Sequence, residues 1–191
     1  MGQLIVVADD CNDDTAAIAE HYADQVIQIA AGNKGAAMYA GLQVVGSELV
    51  AFVDGDIQGL LPAHVTALCT LPPLDGQLVG CRSGYSAIAG LLPSVSGERR
   101  IPTWLANEVN LAGAGWRAET LINVAIAKAG LPWRHVTFEG VTNLAKGKIF
   151  NHPLEWADEL VRVFDIWAMY LPELLTYVRH PHGSPGPSLG T

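Results

Sequence analysis

Along the first third of the chain the hydrophobic pattern switches repeatedly between a short period and a long one. QLIVVA (3 to 8), QVIQIA (25 to 30) and ELVAFV (48 to 53) are compact apolar runs rich in β-branched residues, the pattern of buried strands. Between them the spacing widens to a helical period, with one helix capped by Asp13 or Asp14 and running to about Ala23, and a second over KGAAMYAGLQVV (34 to 45). Strands separated by helices of this length need crossovers, and right-handed crossovers build a parallel sheet. The fold class is therefore α/β with a mainly parallel sheet. Pro62 opens a third helix through about Leu71, and QLVGC (77 to 81) is a fourth strand. From Arg82 to Pro102 the chain is rich in Gly, Ser and Pro without periodicity, which predicts a long loop. Arg117 to Ala129 reads as a helix, WRHVTFEG (133 to 140) as a strand, and Pro153 to Val178 as an amphipathic helix broken near Pro172. The tail RHPHGSPGPSLGT cannot build a core, so one domain is expected over residues 1 to 178, with a disordered tail over 179 to 191.

Composition narrows the partners. Half of the 191 residues are apolar and 16% are charged, enough for a single globular core. The net charge of −8 argues against nucleic-acid binding, so an anionic ligand needs a local device: a metal, a few basic side chains or a helix N-terminus. The most apolar stretch, VFDIWAMYLPELLTYV (163 to 178), is interrupted by Asp165, Pro172 and Glu173, which argues against stable membrane insertion. Met1-Gly2-Gln3 supplies no basic region of a signal peptide, and Cys11, Cys69 and Cys81 form no CxxC pair. A cytoplasmic protein is expected.

Three segments carry candidate chemistry. VVADDCNDDT (6 to 15) places Asp9 directly after a buried strand, where its carboxylate can accept hydrogen bonds from a nucleobase edge or simply close a polar turn. GNKG (32 to 35) precedes a helix, so its amides and Lys34 can meet a phosphate, although the GxxxxGK[ST] spacing of a P-loop is absent. Asp54-Gly55-Asp56 ends the third strand and can aim two carboxylates at one hard cation, which in turn can hold a diphosphate. Asp-Gly is also a common turn.

In order and spacing, VVADDCNDDT, GNKGAAMYAG and FVDGDIQG resemble the nucleotide-sugar-binding half of GT-A-fold, family 2-like glycosyltransferases, the group related to polyprenyl-phosphate sugar transferases and glucosyl-phosphoglycerate synthases. The resemblance implies a Rossmann-like three-layer sandwich in which Asp9 touches the base, Lys34 lies near the nucleotide, and Asp54 and Asp56 bind Mg2+ or Mn2+ on the diphosphate of a nucleoside-diphosphate sugar. SGERR (96 to 100) and GAGWRAETLINVAIAKAG (113 to 130) are similar to the family's acceptor loop and its G-[FYW]-x-x-E helix. They imply Glu119 as a base or orienting group for the acceptor, and Arg99 with Arg100 as neutralisers of the leaving diphosphate. His135 corresponds to a third metal ligand of some relatives. Beside these stand plainer readings: a solvated first-turn Glu119, an exposed basic pair, a packed histidine. Lys146 and Lys148 can serve a phosphate-bearing acceptor or lie idle on the surface.

One departure qualifies the resemblance. In the family a further strand and helix precede the segment corresponding to VVADDCNDDT, and this chain starts just before that segment, so the fold is expected to be truncated at its N-terminus. That strand lies in mid-sheet, and without it two unpaired inner edges are expected, filled by another segment or by homo-oligomerisation. A glycosyltransferase is the leading expectation. A non-catalytic remnant or interaction subunit of the same fold is the alternative. A nucleotidyltransferase is less favoured because no Gly-rich phosphate loop follows a first strand.

Overall fold

A computed structural model of the protein describes residues 2–82, 96–143 and 188–189. The alternating first third forms as its pattern requires: β1 (Ile5–Asp9), α1 (Thr15–Ala19), β2 (Gln25–Ile29), α2 (Lys34–Leu42) and β3 (Leu49–Phe52). Asp13 rather than Asp14 supports the start of α1, accepting from the Thr15 amide (3.0 Å) and hydroxyl (2.5 Å). The short β4 (Ile57–Gln58) and α3 (Pro62–Thr70) follow, with Pro62 in the first turn, where its missing N–H costs nothing. Next come β5 (Gln77–Arg82), β6 (Arg99–Pro102), α4 (Thr103–Glu108), a 3-10 turn (Gly115–Arg117), α5 (Ala118–Lys128), β7 (Trp133–Phe138), β8 (Thr142–Asn143) and β9 (Ser188–Leu189).

The main sheet has the order β3-β6-β5-β7-β9. β5 and β7 are parallel, whereas β6 runs antiparallel to both β3 and β5. The sheet is thus mixed, parallel only in part. β6 also corrects the end of the loop expected over 82 to 102, of which residues 83 to 95 lie outside the described residues: RRIP is a fully buried central strand. Its pattern was illegible because two arginines head it. Successive strand residues face opposite sides, and here each guanidinium is buried on its own side. Arg100 donates to the carbonyls of Leu68 (3.0 Å), Leu71 (2.8 Å) and Pro73, acceptors at and just beyond the end of α3. Arg99 turns toward α5. Neither is the exposed basic pair that a loop would carry.

β1 and β2 form a separate parallel pair. Among the described residues, β1 has a strand partner on one edge only, and so does β3. α2 connects the two sheets: it packs on β1 and β2, while its Met38 and Leu42 enter the main core with Val50, Ile101, Leu105 and Ile122. A second cluster, Leu68, Leu78, Val136, Phe138 and Val141, fills the α3 side. Ser188–Leu189, within the expected disordered tail, instead pair in parallel with Thr137–Phe138. No helix among the described residues is long and apolar enough to cross a membrane. The helix expected over 153 to 178 lies outside the described residues, as do Lys146 and Lys148.

Candidate functional site

The carboxyl ends of β1 and β3 converge on the start of α2. The Asp9 carboxylate accepts from the backbone N–H groups of Ala31 (2.7 Å), Gly32 (2.9 Å) and Asn33 (2.8 Å). Burial raises its pKa, but the three bonds from Gly32, Ala31 and Asn33 together outweigh it and hold the carboxyl below the usual range. Three of its roughly four acceptor positions are used, which leaves one for a ligand donor. Gly32 adopts φ 61°, a left-handed turn that favours glycine, and Asn33 then caps α2 by accepting from the Ala36 amide at 2.8 Å.

The loop so clamped delivers Lys34 into the site. Its Nζ lies 2.5 Å from Asp54 Oδ1 and 2.5 Å from Glu119 Oε1. The GNKG helix start, the DGD strand end and the GWRAE helix therefore meet at one ammonium. Burial by itself would push the lysine pKa down; the carboxylates of Glu119 and Asp54 overcome it and hold the pKa above the ordinary value. Gly35 makes this reach possible. A Cβ there would fall within 3.0 Å of the Leu111 carbonyl oxygen and the Gly115 amide nitrogen, so only glycine lets the helix start lie against the segment that leads to Glu119.

Glu119 is not the solvated first-turn residue of the plainer reading. It is 7% exposed and paired with Lys34. Asp56 is half-buried and, among the described residues, makes no hydrogen bond or ion pair. Asp54 and Asp56 offer oxygen donors only, the ligand type that suits a hard cation such as Mg2+ or Mn2+. The described residues contain no group of three His, Cys, Asp or Glu placed for a metal ion. This corrects the expectation for His135, which sits on β7 edge-on to Trp133 (5.1 Å) instead of joining Asp54 and Asp56. Burial, aided by the nearby Arg99 charge, pushes its pKa down to about 4, so the ring is neutral at pH 7.

Arg99 requires a correction too. It is fully buried, and its guanidinium donates to the Ser96 carbonyl (Nε 3.0 Å, Nη2 2.5 Å), the Glu119 carbonyl (3.2 Å) and Asn123 Oδ1 (3.0 Å). With its donors spent on the interior it is not presented to a leaving diphosphate. Arg117, by contrast, is exposed beside the helix that carries Glu119. Sequence reasoning missed Asn123, which also accepts from Gln77 Nε2 at 2.9 Å. Its place one turn after Glu119 on a buried helix face was the available signal.

Residues 3–63 match the family model described as glycosyl transferase family 2. The match covers the N-terminal third of the chain. No curated protein matches the chain. Among solved structures, glucosyl-3-phosphoglycerate synthase from Mycobacterium tuberculosis shares the fold in several ligand states. Its complex with Mn2+, UDP-glucose and phosphoglyceric acid superposes with a TM-score of 0.65 at 19% identity, covering 89% of this chain and 68% of that one. The complex with Mn2+, UDP and glucosyl-3-phosphoglycerate gives 0.66 at 19%, covering 90% and 68%. The complex with Mg2+ and UDP gives 0.63 at 17%, covering 89% and 67%. At these identities the likeness is one of fold. The family 2 resemblance read from the three motifs, and with it the Rossmann-like α/β architecture, is borne out.

Proposed function

We propose that the protein binds a nucleoside-diphosphate sugar together with Mg2+ or Mn2+ and transfers the sugar to a phosphate-bearing acceptor. The observation that carries this reading is the double contact of Lys34 with Asp54 and Glu119, which unites the DGD strand end, the GNKG helix start and the GWRAE helix in one site. The similar fold of an enzyme described with Mn2+, UDP-glucose and phosphoglyceric acid supports it.

In this reading Asp9 receives a base N–H on its remaining acceptor position. Asp54 and Asp56 would hold the cation, which would supply Lewis-acid stabilisation of the leaving phosphate charge. Lys34 adds a second positive charge on the same side. Glu119, buried and held by Lys34, orients the acceptor or accepts its proton. Arg117 is the described cation best placed for an acceptor phosphate. The domain spans residues 1 to 178, works in the cytoplasm and self-associates through its open sheet edges. Among the described residues β1 and β3 each have a strand partner on one edge only, which favours the second reading, a non-catalytic remnant or interaction subunit of the same fold.

Calorimetric titration of UDP with and without Mn2+, followed by hydrolysis assays across donor sugars, tests the proposal. Metal-dependent binding is expected in the wild type and is lost in both Asp54→Ala and Asp56→Ala while the unfolding transition persists. Undiminished metal-dependent binding in both variants would remove the assignment.

A further inference from the structure

Gly97 stands in the short turn that leads into β6, and its backbone is not left-handed. Conformation therefore does not demand glycine here; space does. A Cβ at this position would lie well inside 3.0 Å of Cγ, Oδ1 and Oδ2 of Asp54, closer than real Cβ atoms come to any heavy atom. The Asp54 carboxylate thus rests directly on the bare Cα of Gly97.

The turn does not float. Arg99 grips it from beneath, with Nε and Nη2 both on the Ser96 carbonyl, and Nη1 of the same guanidinium donates to the Glu119 carbonyl and to Asn123. Ser96 is itself buried, and its hydroxyl donates to Glu98 Oε2. One buried cation consequently ties the turn beside Asp54 to the backbone of Glu119. Lys34 joins the two carboxylates through their side chains.

We propose that Arg99 and Gly97 form a positioning device for Asp54: the guanidinium seats the Ser96-Gly97 turn, and the missing side chain of Gly97 sets where the Asp54 carboxylate stands relative to Glu119. The inference rests on the reading of Asp54 as a metal and nucleotide ligand, and it gives Arg99 a role in the site that its burial permits. Neither residue touches the reacting atoms.

Gly97→Ala tests the device directly. The obstructing group is the free end of a side chain, so Asp54 swings aside at small cost to the fold and leaves its place near Lys34. Cooperative unfolding is expected to survive, while metal-dependent UDP affinity falls about tenfold or more, the usual scale for losing support behind a metal ligand. In an Asp54→Ala background, where metal-dependent binding is already gone, the same substitution should have no further effect on stability. Wild-type affinity in Gly97→Ala, or an undiminished effect of the substitution without Asp54, overturns the proposal. If Gly97→Ala alone does not fold, the Asp54→Ala/Gly97→Ala pair should recover folding, and its failure to do so also overturns it. A wild type without metal-dependent UDP binding removes the functional reading instead. The positioning claim is then decided by stability: the Lys34–Asp54 coupling, from a cycle of Lys34→Met and Asp54→Ala, must vanish in Gly97→Ala.

Discussion

Replacing Lys34 with methionine keeps the aliphatic stem and removes the ammonium that separates two carboxylates. Both contacts measure 2.5 Å, so Asp54 Oδ1 and Glu119 Oε1 stand at most about 5 Å apart. At that distance, with an effective dielectric of about 20, two like charges repel by roughly 3 kcal/mol. The Glu119 side chain is 9% exposed and that of Asp54 is 26%, so water screens part of this, and a net loss of about 2 kcal/mol is expected. For a domain of this size that is a fall in Tm of roughly 4–8 °C. Urea unfolding at neutral pH measures it. Because the repulsion lies between carboxylates, Lys34→Met/Glu119→Gln should recover most of the loss. The lysine pKa is raised in the folded protein, so its contribution is fully present below the ordinary lysine pKa and fades only as pH climbs through the higher folded value. The penalty of Lys34→Met should therefore be constant up to about pH 10 and shrink above it. A Lys34→Met protein within about 0.5 kcal/mol of wild type, or no recovery in the double variant, refutes this electrostatic account.

Two further predictions address groups around the site. His135 holds its proton more weakly when folded (pKa about 4) than when unfolded, so between that value and the ordinary histidine pKa the unfolded chain binds the extra proton and stability falls as pH falls. His135→Asn should remove this slope, so that on moving from pH 7 to about pH 4.5 the variant loses roughly 2.5 kcal/mol less than wild type; parallel urea curves for both proteins would contradict it. Asp9→Ala should free the amides of Ala31, Gly32 and Asn33, costing about 1–2 kcal/mol and raising their hydrogen-exchange rates at neutral pH, and unchanged protection would show that the clamp is unimportant. With its pKa held low, the Asp9 clamp persists across neutral pH and is lost only as pH falls through the folded value, below the usual carboxylate range.

The sequence alone was enough to read β1, β2, β3 and the helices between them, because each is a local apolar run whose period declares its type. It was also enough to bring Asp9, Lys34 and Asp54 into consideration together, since each sits where a buried strand or a helix begins or ends. The resemblance to a family with one more central strand implied two unpaired edges. What remained illegible was whatever depends on partners distant in sequence. β6 is illegible in the sequence because two arginines head it, and only the carbonyls at the end of α3 on one side and Glu119 with Asn123 on the other explain how such charges can be buried in mid-sheet. The same network turned Arg99 from a ligand contact into an interior support, and it placed a charge near His135, away from Asp54 and Asp56. Spacing reports which side chains share a strand or helix face. Whether a charge is exposed, paired or spent on backbone carbonyls depends on chain segments tens of residues away, and tertiary packing decides it.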